Sequence, residues 1–283
     1  MHDSLTMRPA VAISRTWALW SAMALAAVAA ALHTFVLTDP NLDALMNGDA
    51  KAESQQGLRM MWHGMSAIAW TYPVVLLLMP RYSASTTRPI LGCVALLNGS
   101  QAVLYAVAGI WVHGVSGTLA APEWTLYAAV AVLAWLARPT GPAETHAAPP
   151  RRSRKRLALL WFAMVNGALN AIFHTVLATA TSWPDGLLDS DTAADPKLTL
   201  YAMWLFSCVL FCAVMVTLAW SLRTSAPACR PLLRYLAALV AILAVSWGGA
   251  IALGGGSELP VAGAISLGLQ ATLAFLSAPP RSE

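Results

Sequence analysis

Four of the six histidines, His33, His63, His113 and His174, stand at the ends of apolar runs rather than in polar loops. Neutral imidazole is the commonest nitrogen ligand for zinc, copper and haem iron. Around His63 the run Met60-Met61-Trp62-His63-Gly64-Met65 adds thioethers. Imidazole with thioether suits Cu(I), and a His pair or a His and Met pair ligates haem iron. His33, His63, His113, His174, Met61 and Met65 are therefore the candidate ligands of a metal ion, copper or zinc, or of haem. The competing interpretation is structural: each imidazole bonds a backbone carbonyl or a loop carboxylate, and the methionines fill gaps between helices.

A second group carries amides. Asn166, Asn170 and His174 follow one another at spacings of four, which places them on one helix face. With Asn98, Gln101, Tyr105 and Gln270 they are candidates to line a polar cavity, or to hydrogen-bond helix to helix. Cys208 and Cys212 share a face without a second thiol pair, so small apolar packing is favoured over a metal site. Gly248, Gly249 and Gly254 to Gly256 lack the strand and Lys of a phosphate loop.

The elements that must position these side chains are membrane helices. Hydrophobic residues make up 58% of the 283 and charged residues 11%, against roughly 45–50% and about 25% in soluble domains. An ordinary cytosolic enzyme is excluded. Apolar runs of about 20 residues, the length that crosses roughly 30 Å of hydrocarbon, predict an all-α, polytopic fold. Eight transmembrane helices are expected near residues 16–37, 60–79, 89–112, 119–137, 157–178, 198–222, 232–254 and 259–277. The fourth is the weakest, because Pro122 and Glu123 interrupt it.

Orientation follows from Lys and Arg in the short loops. Fourteen of the 17 fall in the termini and alternate loops that hold Arg15, Arg88, Arg138, Arg151 to Arg156 and Arg230, against Lys51, Arg59 and Lys197 on the other side. Both termini are expected in the cytoplasm, and Arg- and Ala-rich composition suits a bacterial-type inner membrane. The net charge of +4 is thereby explained without nucleic acid. The basic run Arg151, Arg152, Arg154, Lys155 and Arg156 also suits anionic head groups.

The sequence repeats itself. Leu32-His33-Thr34 and Phe173-His174-Thr175 lie 141 residues apart, and Met61-Trp62 and Met203-Trp204 lie 142 apart. This predicts two parallel four-helix repeats, 1–139 and 157–283, joined by a basic linker, 140–156, and argues against the first run being a cleaved leader. The four cysteines avoid the acidic loops, so no disulfide framework is expected. No predicted span holds a charged residue away from its ends, which disfavours an ion-coupled transporter of the usual kind.

The leading expectation is a membrane protein that binds a metal ion or haem at the outer leaflet, in redox chemistry or metal handling. A small-molecule permease or binding protein with a cavity between the two halves, lined by Asn98, Gln101, Asn166 and Asn170, is the alternative, and an accessory subunit without its own site is a third. Because helices 1 and 2 are neighbours, His33 and His63 are expected to face each other, with His174 as an extra ligand or a relic.

Overall fold

The computed structural model describes residues 9–118, 123–140, 153–177, 187, 189–222, 226–252 and 258–278. Every regular element among them is helical. α1 (Pro9–Ala31) runs into a wide π turn, Leu32–Val36, and a short helix α2 (Thr38–Asn47). α3 (Ala52–Leu78) and α4 (Ala84–Thr118) follow, then α5 (Glu123–Leu136). α6 (Arg154–Ile172) ends in a second π turn, Phe173–Leu177, and α7 (Ala194–Ser221), α8 (Ala226–Ala252) and α9 (Glu258–Ser277) complete the chain.

Six of these segments are long and apolar enough to cross a membrane: 14–47, 54–81, 84–111, 154–176, 194–221 and 229–249. The chain is accordingly a multi-pass membrane protein, all-helical among the described residues, whose apolar helices face the lipid bilayer. Two further apolar helices are shorter, Glu123–Leu136 and Val261–Ser277. At 14 residues, α5 is about 21 Å long, so the weakness expected at helix 4 is a matter of length as well as of Pro122. α2 is an element that hydropathy did not predict, because it lies beyond the apolar run.

On α1 the small side chains are inside and the large ones outside. Ala18, Ala22, Ala26 and Ala30 form a buried ladder on α1, whereas Trp17, Val28 and Phe35 face outward. Helices in lipid gain little from hiding large apolar groups, and small residues let backbones approach for dispersion contact. Through that ladder α1 packs against α3 and α5. α4 ends its regular course at Gly114, whose φ of 69° is one that only glycine adopts without cost.

Contacts in the second part of the chain follow those in the first. α1 packs on α3 and α5, and α4 on α5; likewise α6 packs on α7 and α9, and α8 on α9. Ala52 and Ala194 open α3 and α7, Ala84 and Ala226 open α4 and α8, each pair 142 residues apart. Across the middle, α3 meets α8 while α4 meets α7. Two loop residues, again 142 apart, exchange reciprocal bonds: the Asp49 N–H donates to Asp191 Oδ1 at 2.9 Å, and the Asp191 N–H to Asp49 Oδ1 at 2.7 Å. Gln55 Nε2 donates to the Gly48 carbonyl and Lys197 Nζ to the Ser190 carbonyl, both partners displaced by the same interval.

Candidate functional site

The π turn that closes α1 places His33. A π turn leaves its carbonyls differently spaced from those of an α-helix, and here the Thr38 hydroxyl reaches back to donate to the His33 and Thr34 carbonyls at 3.1 and 2.7 Å. The same hydroxyl accepts from Trp62 Nε1 at 2.8 Å. Trp62 is thus locked on α3 as a plate, and the His33 ring stacks on it, centroids 4.3 Å apart and planes 16° from parallel. His33 is 2% exposed and Trp62 fully buried. Stacking occupies the face of an imidazole and leaves its nitrogens, whose lone pair and N–H lie in the ring plane. No side chain bonds either nitrogen of His33; the Trp62 backbone carbonyl approaches its ring as the Trp204 carbonyl approaches that of His174.

At the second π turn the arrangement recurs with different edges. His174 stacks on Trp204 at 3.8 Å and 21°, and Phe211 meets it edge-on at 5.3 Å. Its Nε2 lies 2.6 Å from Ser207 Oγ and 3.4 Å from the Trp204 carbonyl. The Ser207 hydroxyl donates to that carbonyl at 2.6 Å, so its oxygen accepts from His174 Nε2–H. Ser207 also lies 4.0 Å from Met61 Sδ, which brings His174 and Met61 together across the middle of the molecule. Counting 142 residues back, Ser207 corresponds to Met65 and Leu205 to His63.

The remaining candidates are distributed as follows. His63 follows buried Trp62 but lies on the exposed side of α3, so the two histidines expected to face each other differ in burial. Met61 and Met65 are both buried, on the face of α3 that carries Trp62. His113 belongs to the last turns of α4 beside Gly114, and its side chain lies outside the described residues, as do Arg151 and Arg152. Arg154 and Lys155 are exposed, and Arg156 Nε donates to the Ser277 carbonyl at 3.0 Å. Among the described residues no three His, Cys, Asp or Glu side chains gather as a metal would require. Cys208 bonds the Trp204 carbonyl, and Cys212 is exposed.

The amides bond neighbouring groups, while Asn170 Nδ2 and Gln270 Nε2 are buried without a partner among the described residues. Asn166 Nδ2 donates to the Ser266 carbonyl at 3.1 Å and to Gln270 Oε1 at 2.9 Å, and Ser266 donates to Asn170 Oδ1 at 2.6 Å, all between α6 and α9. Asn98 Nδ2 donates within α4 to the Val94 carbonyl, and Gln101, also buried, bonds Tyr105. The stripe Asn166, Asn170, His174 therefore splits: the amides serve α9 and the imidazole serves α7.

Sequence reasoning missed the indoles. Trp62 and Trp204 were visible as part of the repeated Met-Trp pair, 29 and 30 residues after their histidines; intervals that differ by one residue were a signal that the pairs pack together. The chain matches no protein-family model, no curated protein and no solved structure.

Proposed function

We propose that the chain is a duplicated protein of the inner membrane, with eight spans arranged as two parallel four-helix units, 1–139 and 157–283, around the basic linker 140–156. In this reading it binds a metal ion or haem through His33, in redox chemistry or metal handling. The duplication is supported by the matched helix starts, the matched packing and the reciprocal Asp49 and Asp191 bonds. An even number of crossings per unit makes the halves run the same way. Fourteen of 17 Lys and Arg on one side support cytoplasmic termini, with the histidines toward the outer leaflet and Arg151 to Arg156 against anionic head groups.

The observation that carries the ligand reading is the contrast between two equivalent imidazoles. His174 has Ser207 on its nitrogen, whereas His33 is buried with no side-chain partner on either nitrogen and has Met65 at the corresponding position. A buried polar group left without a partner costs about 1–3 kcal/mol, and an ionisable residue inside a membrane marks a functional site by default. Imidazole with thioether favours Cu(I) over zinc, and also suits haem iron. The permease alternative has narrower support: Asn98 and Asn166 bond neighbouring backbone and side chains, while Asn170 Nδ2 and Gln270 Nε2 are buried without a partner between α6 and α9.

The test is an anaerobic titration of purified protein with Cu(I) against a chromophoric competitor, and separately with haem followed by absorbance. One equivalent is expected to bind, with affinity at least about tenfold weaker in His33→Ala and in Met65→Leu, and unchanged in His174→Ala. Wild-type protein that takes up neither, or a His33→Ala variant that binds as wild type does, sinks the reading.

A further inference from the structure

At the opposite, arginine-rich end of the molecule, three guanidinium groups converge on one turn. Arg138, just past α5, lies over the Trp135 ring, 3.9 Å from its centroid, and its Nε is buried without a hydrogen-bond partner. Arg88 Nε donates to the Pro139 carbonyl at 3.1 Å, and Arg15 donates to the Thr140 hydroxyl. The carboxylates of the described helices, Asp39, Asp43, Glu123 and Asp195 among them, belong by chain order to the other end.

From this cluster a groove of about 730 Å³ runs between α4 and α5, lined by Gly92, Ala95, Gly99, Val103, Ala131 and Trp135 among others. Gly92 lies directly beneath the cation: a Cβ there would stand 3.7 Å from Arg138 Cζ. From Gly92 to Val103 the helix rises roughly 16 Å, about half of a 30 Å hydrocarbon core. The groove thus has the depth of one leaflet, with the positive charge at its head-group end.

An equivalent cation recurs in the second part of the chain from a different residue. Arg234, 142 residues after Gly92, places its guanidinium 5.0 Å from the centroid of Phe275, which is 140 residues after Trp135. Its Nε is likewise buried without a hydrogen-bond partner. The donor has moved from the end of the last helix to the facing helix, while the pairing of guanidinium with aromatic ring is kept. Mere capping of a helix end would not require that.

We propose that the groove between α4 and α5 is a binding site for an anionic glycerophospholipid, one acyl chain lying along Gly92 to Val103 and the phosphate held at Arg138. A guanidinium stacked on an indole keeps its N–H edge for oxygen, and that planar edge matches phosphate. Arg88 and Arg15 add to the positive field, which selects an anionic over a zwitterionic head group. Basic pockets between helices at the cytoplasmic side bind such head groups generally. The site is separate from the His33 centre and rests only on the chain being a membrane protein.

The test is native mass spectrometry of the purified full chain in detergent, with phosphatidylglycerol or phosphatidylcholine added. Wild type is expected to retain one phosphatidylglycerol with at least about fivefold preference, the effect of one interfacial cation. Arg138→Gln should lose that preference. Gly99→Leu, which keeps every charge and fills the groove, should lose the bound lipid of either kind, and Arg81→Gln, an exposed arginine outside the groove, should behave as wild type. Should Arg138→Gln fail to fold, Arg138→Lys retains the charge without the planar edge and is expected to bind at an intermediate level. Equal retention of the two lipids by wild type overturns the proposal. So does wild-type preference in both Arg138→Gln and Gly99→Leu, or a dimer mass that only Gly99→Leu abolishes, which would make the groove a contact between copies.

Discussion

Removing the Ser207 hydroxyl should destabilise the protein more than replacing the histidine it serves. In Ser207→Ala, His174 Nε2 loses its 2.6 Å partner and keeps only the Trp204 carbonyl at 3.4 Å. An unsatisfied buried group costs about 1–3 kcal/mol, and hydrogen bonds within membrane proteins average roughly 0.6 with a maximum near 1.7 kcal/mol. About 1–1.5 kcal/mol is therefore expected for Ser207→Ala. In His174→Phe the stack on Trp204 is retained and Ser207 still donates to the Trp204 carbonyl at 2.6 Å, so the cost should stay under about 0.5 kcal/mol. The double variant leaves no orphan and should cost little more than His174→Phe alone, because removing both partners of a bond is nearly neutral. Unfolding of detergent-solubilised protein by SDS titration, followed by tryptophan fluorescence, supplies the cycle. A coupling of about 1 kcal/mol is expected, and costs that add within about 0.3–0.5 kcal/mol would refute the account. His33→Phe, on a ring with no side-chain hydrogen-bond partner, should be neutral or stabilising in metal-free protein.

Cysteines at positions 49 and 191 should oxidise to an intramolecular disulfide mapped by peptide mass, since the N–H of each residue donates to the carboxylate of the other at 2.9 and 2.7 Å; failure to cross-link would remove a contact on which the proposed two-fold relation leans. Gly167→Val should cost about 1–3 kcal/mol by overpacking, because even a Cβ there would stand 2.6 Å from Met215 Sδ and 3.1 Å from Gln270 Nε2, whereas Gly268→Ala meets nothing within 4 Å and should leave the same SDS titration unchanged.

Class and helix order were legible because composition and run length report directly on the solvent a helix must tolerate. The short α2 was not, since ten residues of mixed polarity carry no hydropathy signal and are held by bonds such as Asn41 Nδ2 to the Leu37 carbonyl. Within the site, spacing paired His33 with His63, whereas the structure stacks His33 on Trp62. His63 was favoured over Trp62 because imidazole has the richer chemistry, but one residue along a helix is a turn of 100°, and that rotation sends Trp62 inward and His63 out. Asn166, Asn170 and His174 share a spacing and not a neighbour, because a periodic stripe says which face a side chain occupies and not which of two packed helices it meets.

The two π turns carry a mechanical implication. A helix that accommodates one residue more than regular winding allows can give that residue back, and doing so rotates everything on one side of the turn by about 100° relative to the other. His33 and His174 both lie within such a turn. Each ring is thereby mounted on a local twist, and its alignment with the indole depends on that extra residue staying in place.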